Sequence, residues 1–413
     1  MHRRVRTVPP AVRAKRAVVP PATRAVLVKP AGADCNLDCT YCFYLEKASL
    51  YPETRIHRMS DRVLRSTVRQ VMRSGASRCS FGWQGGEPTL CGREFFESAV
   101  AYQRLYGRPG QTVANALQTN GLLLDDAFAI FLRDHKFLVG LSIDGPPDVH
   151  DAYRQTMGGR PTHEQVAGAV KTLHRHGLVF NTLTVVTKAN VGRASDVYRY
   201  LRDLGQTRLQ FLPCVEMNAT TGTPHIYSIT AEEYGGFLID LFDAWAADGW
   251  QGVYVRTFND FLTKFVSGKN PFCVFNPTCG DFAVVEHNGD VYACDVFVEP
   301  YWRIGNLMDI PLDELWERPR FEEFRQRKLG LDPTCQACEW LDLCYGGCPK
   351  YRIYNGGPEA PDYFCAGYKA FFAHAVPQLR TMAGEIEQAY TRLRRAQLGE
   401  PLPTLDQRVA VSR

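Results

Sequence analysis

Along the first half of the chain, short runs of apolar and β-branched residues alternate with longer stretches in which apolar residues recur every third or fourth position. The first pattern predicts strands and the second amphipathic helices. "AVLVK" (25–29), "CSFGW" (79–83), "VANALQ" (113–118), "LVGLSI" (138–143), "FNTLTVV" (180–186) and "RLQFLPC" (208–214) read as six strands. Between the first two, Ser60 is placed to cap a helix carrying Val63, Leu64, Val68, Val71 and Met72, with Gly75 at its end. Segment 163–176 sets Val166, Val170 and Leu173 on one face and stops at Gly177. Strand followed by helix, repeated, predicts an α/β fold with a parallel sheet and right-handed crossovers, and in such sheets chemistry gathers beyond the carboxyl ends of the strands.

Four short motifs fall on that rim. A loop with three cysteines follows the first strand, "QGGEP" (84–88) the second, "TNG" (119–121) the third and "DGP" (144–146) the fourth. Each alone is an ordinary turn sequence, because glycine, proline, asparagine and aspartate favour turns for local reasons. Their common edge is what singles them out.

The chain has 413 residues, 45% hydrophobic and 22% charged, enough for one large globular domain with a smaller one. The net charge of +4 owes much to the start, where Arg3, Arg4, Arg6, Arg13, Lys15, Arg16 and Arg24 precede the first acid, Asp34. Nothing in this balance calls for nucleic acid. Pro9, Pro10, Pro20 and Pro21 interrupt that basic run, so residues 1–24 are expected to form a disordered arm. No apolar run is long enough for a membrane span or an export signal, which makes a cytoplasmic protein the expectation. In a reducing compartment, fourteen cysteines point to metal or catalytic thiols instead of disulfides.

Eleven of those thiols fall into two groups. Cys35, Cys39 and Cys42 stand in "ADCNLDCTYCFY" (33–44), and eight more crowd the C-terminal third. A structural zinc wants a fourth Cys or His, and His57 is the nearest histidine to the first group. A [4Fe–4S] cube also takes four ligands, so three thiolates leave one iron open. The spacing Cys-x3-Cys-x2-Cys, with Tyr41 before the last cysteine, resembles the signature of the radical S-adenosylmethionine superfamily. That resemblance implies a partial (βα)6 TIM-like barrel in which the open iron is chelated by S-adenosylmethionine, whose reductive cleavage yields a 5′-deoxyadenosyl radical. It also implies that Gly85, Gly86 and Glu87 of "GGEP" hold the methionine amino group, that Ser142 and Arg154 bind ribose or carboxylate, and that Tyr41 and Val215 lie against the same ligand.

Further along, Cys279 and Cys294 bracket Gly289, and Cys335, Cys338, Cys344, Cys348 and Cys365 follow. Residues alone allow zinc knuckles or iron–sulfur clusters. The arrangement resembles the SPASM domain, a small cysteine-rich extension that binds auxiliary clusters. With Cys273 added there are eight thiols, and the resemblance implies two further [4Fe–4S] clusters, one on Cys273, Cys279, Cys294 and Cys348, the other on Cys335, Cys338, Cys344 and Cys365. The expected organisation is an arm (1–24), a barrel (25–255), a SPASM domain (256–376) and a C-terminal helix and tail (377–413). Cys79, Cys91 and Cys214 fit neither set; Cys79 and Cys214 read as small buried residues.

More specific text appears in "FGWQGGEPTL" (81–90), "CVFNPTCGDFAVVEHNGDVYACDVFVEP" (273–300), "RIGNL" (303–307) and "CEWLDLCYGGCPKYR" (338–352). Together these resemble the anaerobic sulfatase-maturating enzymes, which oxidise a cysteine or serine in a sulfatase polypeptide, within a Cys/Ser-x-Pro-x-Arg motif, to Cα-formylglycine. The resemblance implies Asp295 as the proton acceptor, Gln84 and Tyr44 as substrate contacts, and an electron donor such as flavodoxin or ferredoxin. Val296 follows Asp295 where the family pattern carries histidine. A monomer is the default expectation. Two alternatives stay open on the residues: a SPASM enzyme that cross-links a precursor peptide, and a zinc-stabilised binding module.

Overall fold

The computed structural model describes residues 23–280 and 282–398. A ten-stranded sheet organises them, in the order β10-β9-β8-β1-β2-β3-β4-β5-β6-β7. The strands are β1 (Thr23–Lys29), β2 (Arg78–Trp83), β3 (Thr112–Thr119), β4 (Leu138–Ser142), β5 (Phe180–Val186), β6 (Arg208–Pro213), β7 (Tyr254–Val255), β8 (Ala283–Glu286), β9 (Asp290–Tyr292) and β10 (Arg303–Asn306). All neighbours from β1 to β7 are parallel, and β8 pairs parallel with β1. The last three strands form antiparallel pairs. Each of the six expected strands is present, and the sheet is larger than six. The added strands are too short to show a period, and β8 docks on β1 through a pairing more than 250 residues apart in sequence, as Val26↔Ala283 illustrates.

Helices α1 (Asp61–Met72), α2 (Arg93–Tyr106), α3 (Asp126–Asp134), α4 (Pro147–Tyr153), α5 (His163–Arg175), α6 (Ala194–Asp203), α7 (Ala231–Ala247) and α8 (Arg256–Ser267) accompany the sheet. Ser60 caps α1 as its sequence predicts, its hydroxyl accepting the amide proton of Val63 at 3.4 Å. The face of α1 formed by Leu64, Val68, Val71 and Met72 is buried, each side chain contributing about 1.5–3 kcal/mol of transfer free energy. In the core beside it, Phe81 and Trp83 stack on β2 with ring centroids 5.9 Å apart, and the Trp83 indole donates to Asn115 at 3.0 Å.

Two expectations need correction. The arm was expected to reach residue 24, yet β1 opens at Thr23; residues 1–22 lie outside the described residues. The C-terminal helix was expected after about Pro377, but it runs Cys365–Leu398 with Pro377 inside it. A proline removes one amide donor and strains the turn before it, a cost that packing can offset. Here Phe371 and Leu379 on either side are fully buried, and Phe371 stacks against Phe258 of α8 at 5.6 Å. The continuous sheet and this helix both run across the expected boundaries of the cysteine-rich region.

Candidate active site

The loop after β1 holds Cys35, Cys39 and Cys42, and the loop after β2 presses against it. Gly85 and Gly86 make that approach possible. A Cβ on Gly86 would lie 1.9 Å from the Asp34 carbonyl oxygen, and one on Gly85, whose φ is +136°, would lie 2.6 Å from that of Gly32. The amides of Gly86 and Glu87 donate to those carbonyls at 2.8 and 2.7 Å. Asp34 in turn accepts from His57 Nδ1 at 2.7 Å and from Arg58 at 2.6 Å. Burial raises its pKa, but those donors outweigh it and hold the carboxyl below its ordinary value. His57 is therefore committed to Asp34 and, through Nε2, to the Tyr51 carbonyl at 2.9 Å.

Glu87 is bonded within the protein. It is fully buried, and its carboxylate accepts from the amide and hydroxyl of Thr89, the hydroxyl of Thr119 and the amide of Asn120 at 2.7–2.9 Å. It ties the second rim loop to the third. Asn120, which the sequence showed only as part of a turn, reaches Asn36 at 2.7 Å and the Cys35 sulfur at 3.7 Å.

Across the loop, Arg154 is buried and grips Asp144 with two bonds, 2.8 and 3.2 Å long. Tyr41 donates its hydroxyl to the same carboxylate, and the Val185 amide donates to it at 2.9 Å. Arg154 also lies near Cys39 and counters the burial that pushes this thiol up to about 11. Burial pushes Cys35 up to about 12. Such thiols keep their protons until a metal displaces them. Ser142, at the end of β4, accepts from Gln118 at 3.0 Å, and Val215 is buried just past β6. Asp144, which gathers Tyr41 and Arg154, was not singled out from sequence; its signal was the "DGP" motif on the rim.

Asp295 follows Cys294 and is 18% exposed at its side chain. One carboxylate oxygen lies 3.7 Å from Lys29 Nζ, and the other 3.7 Å from the Cys294 sulfur. Lys29, the last residue of β1, sits over the face of Tyr44 at 4.3 Å from the ring centroid. Tyr44 is buried and donates its hydroxyl to Glu286, so that hydroxyl is committed within the protein. Gln84 is half-buried at the start of the second rim loop, its amide donating to Val28 at 2.9 Å. A groove opens beside this corner, lined by Cys42, Phe43, Val296, Phe297, Tyr227 and Tyr354 among others.

The eight C-terminal thiols separate into two sets. Cys335, Cys338, Cys344 and Cys365 line one cavity with Trp340 and Asp362. Cys294 lies close enough to Cys273 and Cys348, and Cys348 to Cys273 and Cys279, for these neighbours to push each thiol's pKa upward, which groups the second set. Burial raises Cys344 and Cys348 to about 12. Lys328 lies beside the second set, bonded to the carbonyls of Cys273 and Val274 at 3.2 and 2.7 Å. Soft sulfur donors in groups of three and four, with a cation beside each group, Arg154, Lys328 and Lys369 in turn, fit thiolate-held iron–sulfur clusters.

The chain matches the Radical SAM superfamily over residues 30–201 and the SPASM iron–sulfur cluster-binding domain over residues 273–339. It is 37% identical over 366 residues to a cysteine-type anaerobic sulfatase-maturating enzyme of Clostridium perfringens, covering 88% of this chain and 99% of that one. The chain belongs to the anaerobic sulfatase-maturating enzymes. A serine-type member of this family from Bacteroides thetaiotaomicron is 35% identical over 379 residues, covering 87% of this chain and 91% of that one. A solved structure described as native anSMEcpe with bound AdoMet and Cp18Cys peptide matches with a TM-score of 0.82 at 37% identity, over 88% of this chain and 99% of that one. Family membership sets aside the peptide cross-linking and zinc-module alternatives. Among the described residues no helix is long and apolar enough to cross a membrane.

Proposed function

We propose that this chain oxidises one cysteine or serine of a sulfatase polypeptide to Cα-formylglycine without oxygen. The single observation that carries this reading is the position of Asp295, a partly exposed carboxylate next to Cys294 at the edge of a groove that also contains Cys42. Cys35, Cys39 and Cys42 would hold one [4Fe–4S] cluster, Cys273, Cys279, Cys294 and Cys348 a second, and Cys335, Cys338, Cys344 and Cys365 a third. When bound, the clusters and S-adenosylmethionine supply the radical that removes a hydrogen atom from the target Cβ and the sink that takes the remaining electron.

The protein's own residues do the rest. Gly85 and Gly86 let the second rim loop close on the cysteine loop, Arg154 with its partner Asp144 stands on the other side of that loop, and Ser142 and Val215 bound the site. Asp295 accepts the proton that leaves the substrate, which requires hydrogen-bond reach before basicity matters. The groove takes a peptide with the Cys/Ser-x-Pro-x-Arg motif, and Gln84 and Tyr44 remain the candidate contacts for its target residue. We place the chain in the cytoplasm, where fourteen cysteines suit a reducing compartment, and give it a flavodoxin- or ferredoxin-like electron donor.

The test is anaerobic reconstitution followed by incubation with S-adenosylmethionine, a reductant and a peptide carrying the motif. Mass spectrometry is expected to show an aldehyde at the target residue. Asp295→Asn is expected to release deoxyadenosine with little aldehyde; undiminished aldehyde from that variant rules out Asp295 as the base.

A further inference from the structure

Lys29 is a buried cation at the edge of the chemistry, and neither its strand nor its motif accounts for it. Its side chain is 1% exposed. An ammonium taken out of water costs several kcal/mol unless a counter-charge accompanies it. Among the described residues the carboxylate within 4 Å of Nζ is Asp295, at 3.7 Å. Glu286 is the strand partner of Lys29 across the β1–β8 pairing, yet its carboxylate accepts from Tyr44 and lies 3.8 Å from His287.

The path of the side chain is equally constrained. A Cβ on Gly85 would stand 3.4 Å from Lys29 Cδ, so the aliphatic stem runs beneath the glycine loop, and the ammonium rests on the Tyr44 ring. The stem packs under the loop, and the carboxylate within reach of the ammonium is that of Asp295. The ammonium draws one oxygen of Asp295 toward β1 and leaves the other beside Cys294, near the groove.

We infer that Lys29 is the positioning residue for Asp295: its buried ammonium fixes the carboxylate at the rim in the orientation that meets the substrate. This rests on the reading of Asp295 as the base. No new bond is made or broken; the proton still passes from substrate to Asp295.

The experiment is a double-mutant cycle on reconstituted holoenzyme with Lys29→Met and Asp295→Asn, with Lys29→Gln as a second replacement should the methionine variant fold poorly. Three quantities are read: aldehyde per deoxyadenosine released, S-adenosylmethionine affinity and thermal midpoint. Lys29→Met is expected to lower aldehyde per deoxyadenosine by about tenfold to a hundredfold, the scale of a misplaced reacting group. In the Asp295→Asn background the same change is expected to produce no further loss, and its effect on the thermal midpoint is expected to shrink, because the carboxylate it steadied is gone. Equal losses in both backgrounds, or an undiminished ratio in Lys29→Met while Asp295→Asn alone is defective, overturn the inference. Full aldehyde from Asp295→Asn would instead overturn the reading of the base.

Discussion

The loop at Cys35–Cys42 and the thiol sets of the C-terminal third use the same side chain in different surroundings. The C-terminal sets each gather four sulfurs, one of them around a single cavity with Trp340 and Tyr368 on its walls. The N-terminal loop has three, and its remaining side is shaped by glycines, by Arg154 and by Asn120. Four soft donors complete a cube and close it; three donors in a loop without a fourth sulfur leave a corner for something else. A site that stores electrons and a site that binds a reactant therefore differ less in their ligands than in what stands where the fourth would be.

Removing one thiol from each region tests this most sharply. Cys39→Ala is expected to abolish deoxyadenosine release and lower iron by about four atoms of about twelve. Cys338→Ala is expected to cost a similar amount of iron while deoxyadenosine release persists and aldehyde falls. Iron analysis and chromatography of the nucleoside read both. Equal loss of deoxyadenosine release in the two variants would erase the distinction between an open and a closed site.

Gly86→Ala comes next. The new methyl carbon would be placed 1.9 Å from a backbone oxygen, which no side-chain rotation relieves, so the loop after β2 has to retreat from the cysteine loop. We expect S-adenosylmethionine affinity to fall at least about a hundredfold, the scale of a displaced site, with the iron of the C-terminal sets retained. Titration calorimetry with the cofactor, alongside iron counting, checks the pair. An alanine accepted without loss would mean that the close approach of the two loops does not shape the site.

How much of this was legible beforehand follows from the distance over which each feature is specified. Cys35, Cys39, Cys42, Gly85 and Gly86 are local: spacing and turn chemistry lie within a few residues, and the structure places them together on one rim. Asp144 sat in a visible motif, but its meaning depends on Tyr41, 103 residues earlier, and on Arg154, which approach it only after folding. Lys29 figured in the sequence only as the last residue of the first strand, and its approach to Asp295 spans more than 260 residues. The bonds of Glu87 to Thr119 and Asn120 could not be read from sequence, because they join loops more than 30 residues apart. The pairing of β8 with β1 and the passage of the last helix through Pro377 are tertiary outcomes, in which packing prevails over local preference.

Acid should distinguish the regions as well. His150, fully buried on α4, accepts from the Asp144 amide at 3.3 Å and contacts the Thr162 hydroxyl at 3.2 Å, supporting the N-terminal site alone. Burial pushes its pKa down to about 4 from 6.5, against the opposing pull of Asp144. Between those values the unfolded chain binds more protons than the folded one, so stability rises with pH across the window. The contribution is complete above about pH 6.5 and is lost as the pH falls through about 4, amounting to roughly 3 kcal/mol. Denaturant titrations at pH 7.5 and 4.5 should show a smaller acid loss in His150→Gln than in the parent; parallel losses would remove His150 from the account.

The smallest expected effect is a control on all the others. Ser60 lies in extended backbone, φ −69° and ψ 155°, and its hydroxyl satisfies one amide at the start of α1. Ser60→Ala leaves that amide to water and costs about 1 kcal/mol. Because the buried face of α1 holds the helix against the sheet, the helix itself should persist, as most helical stability in a folded protein comes from packing. Iron content, S-adenosylmethionine affinity and aldehyde per deoxyadenosine are expected to match the parent while the denaturation midpoint moves slightly down. Should this remote change alter iron in the N-terminal loop and not in the C-terminal sets, the open site would owe its character to marginal stability as much as to its glycines and Arg154, and the contrast between three donors and four would have to be restated in terms of local unfolding.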